Sequence, residues 1–123
     1  LVSSRGLGDV YKRQIKKFAD ELIKFEELLN EDNTYFYNEF SHIDINMMCV
    51  FNRLEDLKLS EVITTNKTPL LQRYWKNLQK RDSYKKGILN YYTSKEHKVI
   101  KDFYNDAPSP FLKPILVELA QRN

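Results

Sequence analysis

Cysteine and histidine are among the side chains that most often act as nucleophile, base or metal ligand, and the chain of 123 residues has one cysteine and two histidines. Cys49 stands between Met48 and Val50, whereas a reactive thiolate needs an electropositive, accessible setting, so we interpret it as an inert core residue. His42 and His97 have no second histidine, cysteine or carboxylate at ligand spacing on the same face. We predict that both are surface residues at helix starts, and we assign no catalytic, cofactor-binding or metal-binding residue.

The glycine content excludes several site classes. The chain has three glycines, and from residue 9 onward only Gly87 remains. Phosphate-binding loops and dinucleotide fingerprints need glycine where the backbone takes positive φ or approaches a ligand closely. We therefore expect neither kind of site.

A basic cluster around Tyr84 raises the question of phosphate or nucleic-acid binding. Its members are Lys76, Lys80, Arg81, Lys85 and Lys86. The formal net charge of the chain is +3, of which the first 14 residues carry +2 and residues 15–123 carry +1. Because the excess of positive charge is so small, we interpret the basic cluster as a solvated helix face and expect no nucleic-acid partner.

Residues 1–14 differ from the rest of the chain in composition and show neither helical nor strand periodicity. They begin without methionine and resemble a translated adaptor sequence found at the ends of reading frames assembled from short sequencing reads. We interpret them as a non-native or disordered prefix, set them aside from functional reasoning, and expect the native protein to be longer.

The elements that would position any site are helices. Apolar residues at helical spacing predict an amphipathic helix over residues 15–30, and apolar residues on every face predict a buried central helix over residues 41–57. Thr68 and Pro69 have the N-cap and N1 order that begins a third helix, which ends near residue 82. We count six helices and no strand, so the predicted fold class is all-α, a helical bundle in one domain.

Three tyrosines in the later helices could line a pocket for a hydrophobic substrate: Tyr91, Tyr92 and Tyr104. Their spacing matches the inward stripe, so we favour core packing and keep the substrate wall as the alternative.

The start of the central helix carries the clearest local motif. With Ser41 as N-cap, its hydroxyl can accept the N–H of Asp44 while the Asp44 carboxylate accepts the N–H of Ser41, which is a reciprocal capping box. Phe40 and Ile45 occupy the positions of a hydrophobic staple.

The run Tyr-Phe-Tyr-Asn-Glu-Phe-Ser-His-Ile-Asp over residues 35–44 resembles the "Y-F-x-G-x-x-[ST]-x-x-D" signature of glutathione transferase C-terminal domains. Residues 69–75 are similar to that family's "P-x-[LI]-x-x-[YW]" helix, and residues 81–84 to its "R-P-x-[FV]" turn. Asn38, Ile43 and Asp82 depart from the usual Gly, Ala and Pro.

This resemblance implies that residues 15–123 are the helical domain of a glutathione transferase without the family's first helix and its N-terminal thioredoxin-like domain. The resemblance implies that such a parent is a homodimer, with glutathione as the co-substrate and a hydrophobic electrophile as the acceptor. The helical domain supplies the substrate wall and dimer contacts, and alone it would bind no cofactor and be inactive. The alternative is a non-catalytic interaction module, as in proteins resembling translation elongation factor gamma or synthetase-associated proteins.

The chain has no segment that we expect in a membrane. Its longest apolar run, residues 47–51, falls far short of the roughly 20 residues that cross a bilayer. One cysteine forms no intramolecular disulfide. We therefore expect a soluble, cytoplasmic protein without a membrane partner.

Overall fold

The computed structural model describes residues 4–89 and 109–122, and within these ranges every regular element is a helix. The predicted all-α fold class is confirmed. The elements are α1 (Ser4–Leu28), α2 (His42–Asp56), a 3₁₀ turn (Ser60–Ile63), α3 (Pro69–Gln79), α4 (Asp82–Tyr84) with a π-helical turn (Lys85–Leu89), and α5 (Leu112–Ala120). None of these helices is long and apolar enough to span a bilayer.

Helix α1 begins at Ser4, well before the predicted start at Ile15. Its inward side chains Ala19 and Leu22 are buried as the helical spacing indicates. Toward its N-terminus, Tyr11 reaches the ring of Phe111, with 5.9 Å between ring centroids. The part of α1 that local periodicity does not predict therefore contacts Phe111, a residue distant in the sequence.

Helix α2 is buried on one side only. Asp44, Met48, Phe51 and Leu54 are buried, and the helix packs against α3 and the 3₁₀ turn. Ile45 and Val50 on the other side are 49% and 46% exposed, and Cys49 is exposed as well. The predictions of a helix buried all round and of Cys49 in the core are wrong, because apolar residues on every face do not specify which neighbours cover them.

Helix α3 carries the centre of the core. Its buried residues Leu71, Tyr74, Trp75 and Leu78 recur at helical spacing and form one apolar stripe. The Trp75 ring lies 5.3 Å from Phe51 and 5.2 Å from Tyr84, measured between centroids. Aromatic contacts of this kind add to the burial of apolar area and join α2, α3 and α4.

Candidate functional site

The carboxylate of Asp44 lies at the junction of three segments and is fully buried. Its Oδ2 accepts the backbone N–H of Ser41 at 2.8 Å and lies 3.4 Å from the Ser41 hydroxyl. Its Oδ1 accepts the N–H of Phe36 at 3.1 Å and the hydroxyl of Tyr74 at 2.5 Å. These four residues, the Asp44 clamp, join the loop before α2, the start of α2, and α3.

Ser41 is the N-cap residue of α2, in extended conformation, and both halves of a capping box with Asp44 are present. Phe40 and Ile45, the predicted staple residues, differ in their surroundings. Ile45 is 49% exposed. The Arg81 guanidinium lies over the Phe40 ring, with its central carbon 3.6 Å from the ring centroid. The centroids of the Phe40 and Tyr35 rings are 5.4 Å apart. Phe40 thus connects the start of α2 with the end of α3.

The tyrosines of the core remain protonated near neutral pH. Burial, followed by the hydrogen bond to Asp44 and the charge of that carboxylate, raises the pKa of Tyr74 far above its ordinary value. Burial and the nearby charge of Glu55 raise the pKa of Tyr84 to about 12. Both phenols therefore act as hydrogen-bond donors, and the Asp44 clamp is suited to holding structure rather than to proton transfer near neutrality.

An apolar pocket of about 270 Å³, the α1–α5 pocket, opens where α1 packs against α5. Among the residues that the structure describes, seven line it: Tyr11, Gln14, Ile15, Phe18, Leu59, Phe111 and Ile115. Leu59 and Ile115 are buried, whereas Tyr11 and Phe111 are 49% and 43% exposed. The pocket therefore has buried aliphatic side chains on one side and exposed aromatic side chains on the other.

The described residues that line the α1–α5 pocket are not those that the sequence singles out as a site. Tyr91, Tyr92 and Tyr104, the candidate substrate wall, lie outside the described residues. Two lining residues, Tyr11 and Gln14, belong to the segment set aside as a prefix. The other lining residues read only as core positions, and no signal in the sequence indicates that a cavity remains between them.

Two residues of the basic cluster, Lys76 and Lys80, line one groove together with Arg73. Lys76, Lys80, Lys85 and Lys86 are exposed. Arg81 contacts the Phe40 ring and donates to the Tyr35 hydroxyl at 2.8 Å. In the described part of the chain no group of three His, Cys, Asp or Glu side chains could hold a metal ion.

Comparison with known families gives one match. Residues 7–82 match the family model described as glutathione S-transferase, C-terminal domain. No curated protein and no solved structure matches the chain. The matched range contains the whole Asp44 clamp, and within the α1–α5 pocket it contains Tyr11, Gln14, Ile15, Phe18 and Leu59.

Proposed function

Because this chain belongs to the family of glutathione S-transferase C-terminal domains, we propose that it is the substrate-side helical domain of a glutathione-transferase-like protein. In the intact protein a thioredoxin-like domain binds glutathione as co-substrate. This domain contributes the wall that receives a hydrophobic electrophile and the contacts of a homodimer. The exposed, unpaired thiol of Cys49 supports a reducing, cytoplasmic setting.

The observation that carries the substrate-side role is the α1–α5 pocket. Of the seven described residues that line it, five have fully apolar side chains, and the two with polar atoms, Tyr11 and Gln14, belong to the segment set aside as a prefix. Burying apolar ligand surface in such a cavity is favourable by about 25 cal/mol per Å², and ligand pockets are generally apolar with few polar groups. The pocket thus suits a hydrophobic molecule better than a peptide or a nucleotide.

The chain by itself is proposed to be inactive. Activation of glutathione requires a group that stabilises its thiolate. The buried Tyr74 hydroxyl already donates to Asp44 at 2.5 Å, and the buried Tyr84 hydroxyl donates to Asn52 at 3.2 Å. Neither group is placed to meet a soluble thiol, and the family resemblance assigns this chemistry to the thioredoxin-like domain.

The test measures binding and turnover of chlorodinitrobenzene, a hydrophobic electrophile. We expect calorimetric titration to detect binding to the chain, and a Phe111→Glu variant to weaken it because a carboxylate at the exposed side of an apolar pocket loses hydration when a ligand enters. Val117→Glu is the matched control, since Val117 on α5 is an exposed apolar residue like Phe111, which directly precedes α5, and is not among the residues that line the pocket.

Two results would contradict the proposal. Equal loss of binding in the Phe111→Glu and Val117→Glu variants would show that the α1–α5 pocket does not receive the substrate. Turnover of chlorodinitrobenzene with glutathione by the chain alone would contradict the assignment of catalysis to another domain.

The second candidate is a non-catalytic interaction module of the same fold. The exposed apolar side chains Ile45 and Val50 on α2 favour it, because unpartnered apolar surface can mark a protein contact. The sequence joined to this chain in the native protein separates the candidates. A thioredoxin-like domain with a catalytic hydroxyl or thiol favours the transferase, and one without such a group favours the module.

A further inference from the structure

We infer that the exposed face of α3 carries an anion-binding groove, the α3 groove, that receives an acidic segment of a partner protein. In the described part of the chain its lining residues are Pro69, Gln72, Arg73, Lys76, Asn77 and Lys80. None of these residues lines the α1–α5 pocket, so binding at the α3 groove is independent of the proposed function.

Positive charge is concentrated at the α3 groove although the net charge of the whole chain is small. Helix α3 contains no aspartate and no glutamate. Arg73, Lys76 and Lys80 line the groove with three positive charges, and its other described lining residues carry none. The net charge counted over the whole chain therefore does not describe this face of α3.

The positive charges of the α3 groove are not neutralised by carboxylates in the described part of the chain. The Arg73 guanidinium donates to the backbone carbonyls of Glu31, at 2.6 Å, and Asn33, at 3.4 Å, which carry no formal charge. Lys76 and Lys80 are exposed and form no ion pair with a described carboxylate. The groove therefore presents a positive potential that attracts and orients an anionic partner.

The uncharged lining residues favour a polypeptide over a nucleic acid. The amides of Gln72 and Asn77 can donate to and accept from the backbone of a peptide. Proteins that bind single-stranded nucleic acid stack the bases on aromatic side chains. No aromatic side chain is among the described lining residues, because Tyr74 and Trp75 of α3 are buried in the core.

The spacing of the cations sets the length of the acidic segment. Arg73 and Lys80 are seven positions apart, which corresponds to about 10 Å along the helix axis. An extended peptide advances about 3.3 Å per residue. A segment of about four to six residues with acidic side chains therefore spans the three cations.

The experiment measures the binding of fluorescein-labelled hexaglutamate to the full chain by fluorescence anisotropy at about 0.05 M ionic strength. Hexaglutamine and a thymidine oligonucleotide with the same net charge as hexaglutamate are the comparison probes. We expect hexaglutamate to bind more tightly than the oligonucleotide and about tenfold or more tighter than hexaglutamine. Sodium chloride at about 0.5 M should weaken the binding of hexaglutamate by about tenfold, because it screens exposed charges.

A pair of charge reversals locates the binding in the α3 groove. Lys76→Glu together with Lys80→Glu should weaken the binding of hexaglutamate by about tenfold or more, because two attractive contacts become repulsive. Lys12→Glu together with Lys16→Glu is the matched control. These lysines are also exposed and four positions apart, and they line a separate groove on α1. The control should change the binding of hexaglutamate by less than about twofold, because charges beyond the Debye length are screened.

A neutral variant separates binding from folding. Lys76 and Lys80 lie at the C-terminal end of α3, where cations also interact favourably with the helix dipole. Lys76→Gln together with Lys80→Gln removes both charges without adding repulsion, and a cooperative urea transition shows that the variant is folded. We expect this variant to bind hexaglutamate about three- to fivefold more weakly than the unmodified chain.

Four outcomes would overturn the inference. Absence of hexaglutamate binding, or equal binding of hexaglutamate and hexaglutamine, would show that the α3 groove does not receive an acidic segment. Tighter binding of the oligonucleotide would make nucleic acid the occupant. Equal weakening in the Lys76→Glu/Lys80→Glu and Lys12→Glu/Lys16→Glu variants would show that net charge alone attracts the peptide.

Discussion

A buried carboxylate is stable only where hydrogen-bond donors surround it, and Asp44 has four within reach. Its fully buried side chain accepts from two backbone N–H groups, and the hydroxyls of Ser41 and Tyr74 lie within hydrogen-bond distance. The capping motif in the sequence accounts for Ser41 alone. Phe36 and Tyr74 join through the fold, so Asp44 fixes the start of α2 to the preceding loop and to α3.

At this residue we expect Asp44→Ala to lower the free energy of unfolding by about 3 kcal/mol, because it leaves the buried donors of Phe36, Ser41 and Tyr74 without an acceptor. Urea denaturation followed through Trp75 fluorescence measures the change. Asp32→Ala is the control, since Asp32 is exposed. A midpoint unchanged from that control would contradict the role of the Asp44 clamp.

The buried tyrosines also make the free energy of unfolding depend on pH. The pKa of Tyr84 rises from 10.0 to about 12 on folding, and that of Tyr74 rises further. Because the folded pKa is the higher one, the stabilisation is complete below pH 10 and is lost as the pH rises toward 12. We expect the urea midpoint to fall over this interval, and less steeply in Tyr84→Phe.

Tyr37→Phe is the control for the alkaline series, because Tyr37 is 57% exposed. In Tyr37→Phe, the slope of the urea midpoint against pH should equal that of the unmodified chain. A slope in Tyr84→Phe equal to that of this control would contradict a contribution of Tyr84 to the alkaline loss of stability.

At the scale of elements, the N-terminus of α3 receives its cap from another helix. Thr68 and Pro69 have the N-cap and N1 positions that the sequence predicts, but the Thr68 hydroxyl donates to the carbonyl of Ile63 at 2.9 Å. The carboxylate of Glu26 on α1 accepts the N–H of Leu70 at 2.5 Å and that of Leu71 at 2.9 Å. A negative charge there also interacts favourably with the helix dipole.

We therefore expect Glu26→Ala to lower the free energy of unfolding by about 1 to 2 kcal/mol, as loss of a capping side chain does. Glu26→Gln retains an acceptor and should cost less than Glu26→Ala. Glu27→Ala, at the adjacent exposed position, is the control for urea denaturation. Equal effects of the Glu26→Ala and Glu27→Ala variants would refute this capping contact.

At the scale of the whole molecule, the C-terminal turn is tied back to α1 and to the segment before α3. Arg122 forms an ion pair with Asp20 at 2.7 Å and one with Glu118 at 3.3 Å, and the Lys67 ammonium donates to the Arg122 carbonyl. These contacts hold the end of α5 against α1, and the same pair of helices forms the α1–α5 pocket.

A double-mutant cycle of Arg122→Ala and Asp20→Ala should give a coupling free energy of about 0.5 to 1 kcal/mol, because the arginine side chain is only 19% exposed. About 1 M sodium chloride should reduce it by screening. The pair Lys24 and Glu21, 3.8 Å apart with both side chains mostly exposed, is the control and should give almost none. Equal couplings in the two pairs would contradict the tie between α5 and α1.

Much of the fold was predictable because its signals are local. Helical spacing predicts the all-α class and the buried stripe of α3, and the order of Ser41 and Asp44 predicts the capping box. Each depends on residues within a few positions of one another, where backbone geometry alone decides which side chains share a face.

The exposure of residues and the position of the pocket depended on tertiary structure. Cys49 lies among apolar neighbours and is still exposed, the acceptor for the N-terminus of α3 comes from Glu26, and the pocket brings Tyr11 against Phe111. In each case, residues distant in the sequence determine what lies next to the side chain or backbone group. By itself the sequence determined which faces are apolar, and only the packing of the helices decided which faces are covered and where a cavity remains.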